Sequence, residues 1–399
     1  MNVVTTRLSN LCKVITKGTT PTSIGYSFSD NGIVFLRVQN INGGKVNYDQ
    51  QTLFIDELTH KALSRSQILA GDILVSIAGT IGRAGIVPDN APPLNCNQAV
   101  AIVRTNEDIF RPYLRHWLES NNAQSQMIGA TVTGTISNLS LTQIGNLQVP
   151  LPPLEEQKRI AEILDRAEEL RSKRREAIAQ LDNLTQAIFI EMFGDPITNP
   201  KRWEICSIGS FLSDVTNGLT RRRKESDKGT DIVLRLRDIR AGWIDFSDVN
   251  RISLVSKELQ RYQVESGDLL FIRVNGNPDY VGRCAIFDGF TEPVYFNDHI
   301  MRVKTDKSKI NGQFCVFVLN GERGKREIAS HRKTSAGQHT INQEGLSKIN
   351  IPLPPFGLQQ EFSHRAEAVE KLKAAHRASL SELDALFASL QHRAFRGEL

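Results

Sequence analysis

Residues 150–153 read PLPP, and residues 352–355 read PLPP again. The same offset of 202 residues carries Gln157 onto Gln359, Leu181-Asp182 onto Leu383-Asp384, Leu184 onto Leu386 and Phe193 onto Phe395 without a gap. Upstream the correspondence continues with small insertions. Leu36-Arg37-Val38 matches Leu234-Arg235-Leu236-Arg237, Gly71-Asp72-Ile73-Leu74 matches Gly267-Asp268-Leu269-Leu270, Gly82-Arg83 matches Gly282-Arg283, and Asn97 matches Asn297. A chain of 399 residues built this way is a duplication. Each half is a globular module of about 150 residues, then PLPP, then a helix.

The helices follow from spacing. Residues 154–193 contain no Gly or Pro, and apolar side chains recur at Ile160, Ile163, Ala167, Leu170, Ala177, Leu181, Leu184 and Ile188. The second copy repeats the pattern with Phe362, Ala366, Val369, Leu372, Leu380, Leu383, Leu386 and Leu390. Spacing of three and four residues predicts a coiled-coil seam. Arg174 interrupts the first seam and His376 the second, as polar residues that fix register do. Glu155 and Glu156 suit the first turn of the first helix, and Gly194 with Pro196 ends it. Helices of this size are about 57 Å long, and neither buries its stripe alone. Since compact domains keep their termini close, the second helix is expected to start beside the end of the first and run back antiparallel. One module then sits at each end, related by a pseudo-twofold.

Within the modules, short strands are expected at Ile33–Val38, Ile73–Ile77, Ala84–Val87 and Val100–Val103, and again at Ile232–Leu236, Leu269–Val274 and Ala285–Phe287. Helix is expected over 109–128 and 312–330. The fold class is therefore α+β: two similar mixed modules joined by two long antiparallel helices. Domain boundaries fall at 1–150, 151–193, 194–351 and 352–399. Five cysteines, none in a C-x-x-C pair, exclude a disulfide framework and a structural zinc site and predict free thiols in a reducing cytosol. The opening MNVVTTRLSNLC lacks a basic stretch followed by an apolar run, so no signal peptide is expected, and no apolar run is long enough for a membrane span.

The repeated element resembles one family. VPLPPLEEQKRIAEILD at 149–165 with a helix ending EMFGDP, and IPLPPFGLQQEF at 351–362 ending AFRGEL, resemble the conserved helical regions of type I restriction–modification specificity subunits. KGTTP at 17–21 and GDILVSIAGTIGR at 71–83 resemble that family's target-recognition domains. The second copy departs from the first: Gly357-Leu358 replaces Glu155-Glu156, TNGLT replaces KGTTP, and GDLLFIRVNGNPDYVGR carries four extra residues. The resemblance implies a non-catalytic chain that reads two short DNA words separated by an unread spacer, which helix length would set. Its partners would be double-stranded DNA, two methyltransferase subunits and restriction subunits. The chain itself would bind no cofactor, with S-adenosylmethionine, Mg and ATP on the partners.

Base edges are read by Arg, Lys, Asn, Gln, Ser and Thr, and phosphates by positive charge. In the first module the candidate DNA-binding residues are Lys17, Thr19, Thr20, Arg37, Gln39, Asn40, Thr80, Arg83, Thr133 and Thr135. In the second they are Thr220, Arg221, Arg222, Arg223, Lys224, Arg235, Arg237, Arg273, Asn275, Asn277, Arg283, Arg332, Lys333 and Gln338. Net charges of +2 for residues 1–150 and +5 for residues 194–351 are too small for either module to grip phosphates strongly alone.

Two other classes compete. A methyltransferase or nuclease needs a glycine-rich cofactor loop or an acid–base set. Asn277-Pro278-Asp279-Tyr280 lacks the second proline of an adenine methyltransferase motif, and GTIG at 79–82 lacks the Lys-Ser/Thr of a phosphate loop. A coiled-coil adaptor that binds only proteins would need the helices and not the basic loops.

Overall fold

The computed structural model describes residues 4–48, 52–130, 138–220, 229–335 and 337–399. The chain divides into two compact units, Met1–Glu176 with His376–Leu399, and Ala177–Ala375. The division passes through the middle of both long helices, Leu154–Phe193 and Phe356–Ala394, so each unit holds one module and half of each helix.

The module of the first unit is built on a sheet ordered Cys12–Lys17, Val100–Thr105, Ile73–Ser76, Ala84–Ile86, Gly44–Val46 and Ile41–Asn42. Val100–Thr105 is buried along almost its whole length, as a strand with cores on both faces must be. Its alternation sends Ala101 and Val103 into a core shared with the helices. Val100 and Ile102 go into a second core, against Leu36 and Leu94 of the three-stranded sheet Leu53–Ile55, Ile33–Leu36, Leu94–Cys96. The second unit repeats this plan. Leu212–Asn217, Ile300–Thr305, Leu269–Ile272 and Cys284–Ile286 form one sheet, and Arg251–Ile252, Asp231–Leu234 and Val294–Phe296 the other. Met301 and Val303 face the helices while Ile300 faces the far core.

Each expected module helix is broken in two, into Arg111–Leu118 with Asn121–Ala130, and Gly312–Asn320 with Glu322–His331. In the second module the cause is local. The Asn320 side chain leaves the helix to donate to the Cys284 carbonyl at 2.8 Å, and Gly321 caps the end.

Each module grips both long helices. Gln157, buried, accepts the Phe110 amide at 2.8 Å, and its counterpart Gln359 accepts the Asn311 amide at 2.9 Å. In the second unit, Phe189 and Phe193 at the end of one helix meet Phe362 near the start of the other at 5.4 and 5.7 Å, and Phe314 of the module closes the cluster at 5.1 Å from Phe193. In the first unit, Phe395 after the second helix packs on Tyr113 at 5.4 Å. Start meets end in both units, so the helices pair antiparallel.

The seam differs from the one expected. Ile160, Ala167, Phe362 and Val369 are buried, and Ile163, Leu181, Ile188, Leu383 and Leu390 are half-buried. Leu170, Leu184, Leu372 and Leu386 are between 44% and 54% exposed and lie off the seam. Leu164, Arg171, Arg174, Thr185, Lys373, His376 and Phe387 line it instead. Ion pairs run along the face that is buried. In the first unit Arg171 donates to Asp384 at 2.6 Å and lies over Phe387 at 4.3 Å, and Arg174 donates to His376 Nδ1 at 2.7 Å. In the second unit Lys373 meets Asp182 at 2.6 Å. Long cationic side chains bury their stems in a seam when their heads are paired, and here they take positions that the leucine stripe was expected to fill.

A second polar knot ties module to helix in the first unit. Arg115 donates to Asp165 at 2.8 Å and Glu168 at 2.6 Å, and His116, fully buried, meets Asp165 at 2.7 Å through Nε2. His116, Asp165 and Glu168 are close enough to hold a metal ion, but the Arg115 guanidinium already fills that role between the two carboxylates. The second module has Phe317 in place of His116, stacked on Phe189 at 4.8 Å. Burial pushes the His116 imidazole below its ordinary 6.5. Burial alone would raise Asp165, but the bond from His116 and the charge of Arg115 outweigh it and hold that carboxyl low. The unfolded chain therefore binds protons before the folded one, and stability is lost as pH falls below 6.5. His116→Phe, which imports the second module's solution, should flatten the stability–pH curve between about pH 7 and 5 in urea titrations of the whole chain.

Candidate nucleic-acid interface

At one edge of each module the chosen loops converge on a single turn. In the first module, the Gly18 amide donates to the Val100 carbonyl at 3.0 Å, Thr19 to Cys96 at 3.1 Å, Asn97 to Leu36 at 3.1 Å and Ile77 to Ala99 at 2.9 Å. These four bonds gather the loops carrying Lys17–Thr20, Arg37–Asn40 and Ala78–Arg83 around Asn97-Gln98, to which Thr20 also bonds through its hydroxyl. The second module repeats the construction. Gly218 donates to Ile300 at 3.1 Å, Leu219 to Phe296 at 3.0 Å, Asn297 to Leu234 at 3.0 Å and Arg273 to His299 at 2.8 Å. The hub residues Gln98, Asp298 and His299 were not among the sequence candidates, although the match of Asn97 to Asn297 marked the turn.

The side chains at this edge divide into shaping and available groups. Asn40 caps its own turn by accepting the Arg37 amide at 2.8 Å and donating to the Asn47 carbonyl at 2.9 Å. Asn275 and Asn277 each accept the amide two residues on, at 2.8 and 3.0 Å, and so hold the 275–279 loop. Arg235 is held by Asp238 at 3.1 Å, and Arg237 pairs with Asp248. Arg240 pairs with Asp245, whose carboxyl sits at about 2 because the Ser247 hydroxyl and amide and then Arg240 all favour its charged form. The charges of these arginines are thus already matched by carboxylates within the module. Arg283 lies over the Tyr280 ring at 4.2 Å. Arg273 donates to the Asp298 carbonyl at 3.1 Å, and Arg332 to Pro278 at 2.9 Å.

Lys17, Gln39, Thr80, Thr220, Lys333 and Gln338 are exposed, while Thr19 and Arg83 are half-buried. Arg37 Nε, Arg273 Nε and Asn297 Oδ1 are buried at this edge without a hydrogen-bond partner among the described residues. Thr133, Thr135, Arg221, Arg222, Arg223 and Lys224 lie outside the described residues.

Two copies of one α+β module, each presenting a polar loop cluster and each rooted in both of two long paired helices, define a duplicated recognition protein. No described helix is long and apolar enough to cross a membrane. The family model for the type I restriction modification DNA specificity domain matches the chain twice, over residues 2–180 and 200–385, and the chain belongs to that family. It is 27% identical over 391 residues to the type I restriction enzyme StySPI specificity subunit of Salmonella potsdam, covering 93% of this chain and 83% of that protein. Identity to the EcoKI specificity subunit of Escherichia coli K12 is 26%, with the same coverage of each. The fold is shared with the type I S subunit of M. genitalium (TM-score 0.58, 14% identity, 98% and 96% of the two chains). It is also shared with a chain from a type I R-M system solved for its complex assembly (TM-score 0.56, 19% identity, 99% and 98%).

The loop cluster depends on one close approach in each module. A Cβ on Gly218 would stand 2.1 Å from the Asn297 carbonyl oxygen, and one on Gly18 2.1 Å from those of Cys96 and Asn97. Gly218→Ala should therefore destabilise the chain by about 1–3 kcal/mol in denaturant titrations. Gly357→Ala, with nothing within 4 Å, should be neutral or stabilising by up to about 1 kcal/mol.

Proposed function

We propose that this chain is the sequence reader of a type I restriction–modification complex, with residues 1–150 and 194–351 as target-recognition modules that each read one word of a bipartite, asymmetric DNA site. The doubled site carries the reading: the same loops meet around Asn97 in one module and Asn297 in the other, with different side chains offered at each. Two different readers in one chain need no palindrome, unlike a dimer of identical readers. Chemistry belongs to the partners. Methyltransferase subunits would bring S-adenosylmethionine and flip the target adenine, and restriction subunits would bring ATP and Mg. The complex would work in the cytoplasm, where the chromosome is.

The partners' seat on this chain is suggested by the leucines that left the seam. Leu170 and Leu386 belong to the first unit, Leu184 and Leu372 to the second, and all four are half exposed on helices whose other face is already paired. One apolar pair in each unit suits two copies of a methyltransferase subunit.

Mapping adenine methylation across a genome with and without this gene tests the reading. A bipartite motif should vanish with the gene, and an unchanged methylation map would refute it. Leu170→Lys with Leu386→Lys should leave folding within about 0.5 kcal/mol of the parent, as exposed changes do. The number of methyltransferase subunits per chain, weighed by native mass spectrometry, should fall from two to one.

A further inference from the structure

The two modules part company at one place. In the first, Ala78 makes an isolated bridge to Asn138, and the Leu139 amide donates to the Ile77 carbonyl at 2.9 Å. The second begins the same way, with the Ile341 amide on the Arg273 carbonyl at 2.9 Å, and then extends the pairing into a sheet. Val274–Asn275 pairs with Gln338–Thr340, which pairs with Lys333–Ser335. The four residues inserted between Gly267 and Arg283 lengthen the segment that holds the first of these strands.

This ribbon is exposed and cationic. Lys333, Thr334, Ser335 and Gln338 are exposed. Ser335 stands opposite Gln338, and alternation puts Lys333 on their face. Thr334 stands opposite His339 on the other face, its hydroxyl 2.9 Å from the imidazole Nδ1. From His331 to Asn342 there is no Asp or Glu. Glu344, whose carboxyl is lowered first by Lys348 and then by Lys333, is an acid that feels the ribbon. Elsewhere in the module Asp238, Asp245 and Asp248 neutralise the arginines of the rim, yet none is paired with Lys333. Arg332 pins the root to Pro278. The corresponding stretch of the first module, ATVTGTISN at 130–138, carries no charge at all.

We infer that the ribbon of Lys333–Ser335 and Gln338–Thr340 enters the major groove and reads base edges of the half-word assigned to the second module. This inference rests on the specificity-subunit reading above. Two strands about 4.8 Å apart fit a groove about 12 Å wide. Gln338 is the principal reader, since a side-chain amide matches the N6/N7 edge of adenine. Ser335 reads beside it. Lys333 contacts phosphate, and Arg332 is a positioning residue.

The test uses the complete chain with its methyltransferase partner. Methylation maps are recorded for the parent, for Gln338→Ala, for Gln338→Ala with Ser335→Ala, and for Lys333→Ala. Gln338→Ala should relax one position of one half-word, raising methylation at single-mismatch sites about tenfold or more, with the other half-word and the spacer intact. Lys333→Ala should weaken binding at all sites and reduce the salt slope of DNA binding by about 1. An unchanged motif in the double variant would overturn the inference. So would joint loss of both half-words, which would make the ribbon a support and not a reader. In either case the parent still directs a bipartite motif, and only its absence would overturn the underlying reading.

Discussion

Arg171 reaches Asp384 across the helix pair in one unit. In the other, Lys373, its counterpart 202 residues on, reaches Asp182, the counterpart of Asp384. One bond has been made twice by duplication, and each copy joins a residue of the first half to a residue of the second. Lys373 is almost fully buried. Burial works against its charge, but the bonds to Asp182 and Glu370 outweigh this and keep it protonated. Asp182 and Asp384 stay partly open to solvent, so each pair is a bond from a sheltered cation to a carboxylate at the rim of the seam. The pairing matters to both modules, because one of the two main cores in each is shared with these helices.

The modules are fastened to those helices in two ways. Both use a buried glutamine that accepts a helix-starting amide, Gln157 for Phe110 and Gln359 for Asn311. Beyond that shared device they diverge. The first unit adds the charged knot of Arg115, His116, Asp165 and Glu168, and the second an aromatic cluster centred on Phe362. A desolvated ionic knot is sensitive to protonation, whereas stacked rings are not, so the two attachments respond differently to solution conditions although they hold equivalent parts.

Much of this was legible in the sequence. The PLPP repeat, the absence of helix breakers and the three–four spacing gave the duplication, the two helices and their direction. The face of the seam was not legible. Leu170, Leu184, Leu372 and Leu386 keep the apolar spacing, and a reading by hydropathy prefers them to Arg171, Arg174, Lys373 and His376. What decides between the two stripes is the placement of Asp182 and Asp384 on the opposite helix, a relation between distant residues that local periodicity cannot carry. The loop clusters were legible as candidates because base-reading chemistry uses few residue types. Their convergence rests on backbone bonds at Asn97 and Asn297, which no side chain announces. The second module's extra ribbon carries Arg332, Lys333 and Gln338, which the sequence offered as candidates, but its strands were not legible and showed only as four inserted residues upstream.

The polar seam bears on the register of the helix pair. A stripe of leucines alone could slide by one heptad and still bury the same area. Such a shift moves one helix past the other by about 10.5 Å. In this chain a one-heptad shift would separate Arg171 from Asp384 and Lys373 from Asp182, so the slipped frame is disfavoured. The charges that weaken the seam as a hydrophobic surface thereby give it a single register.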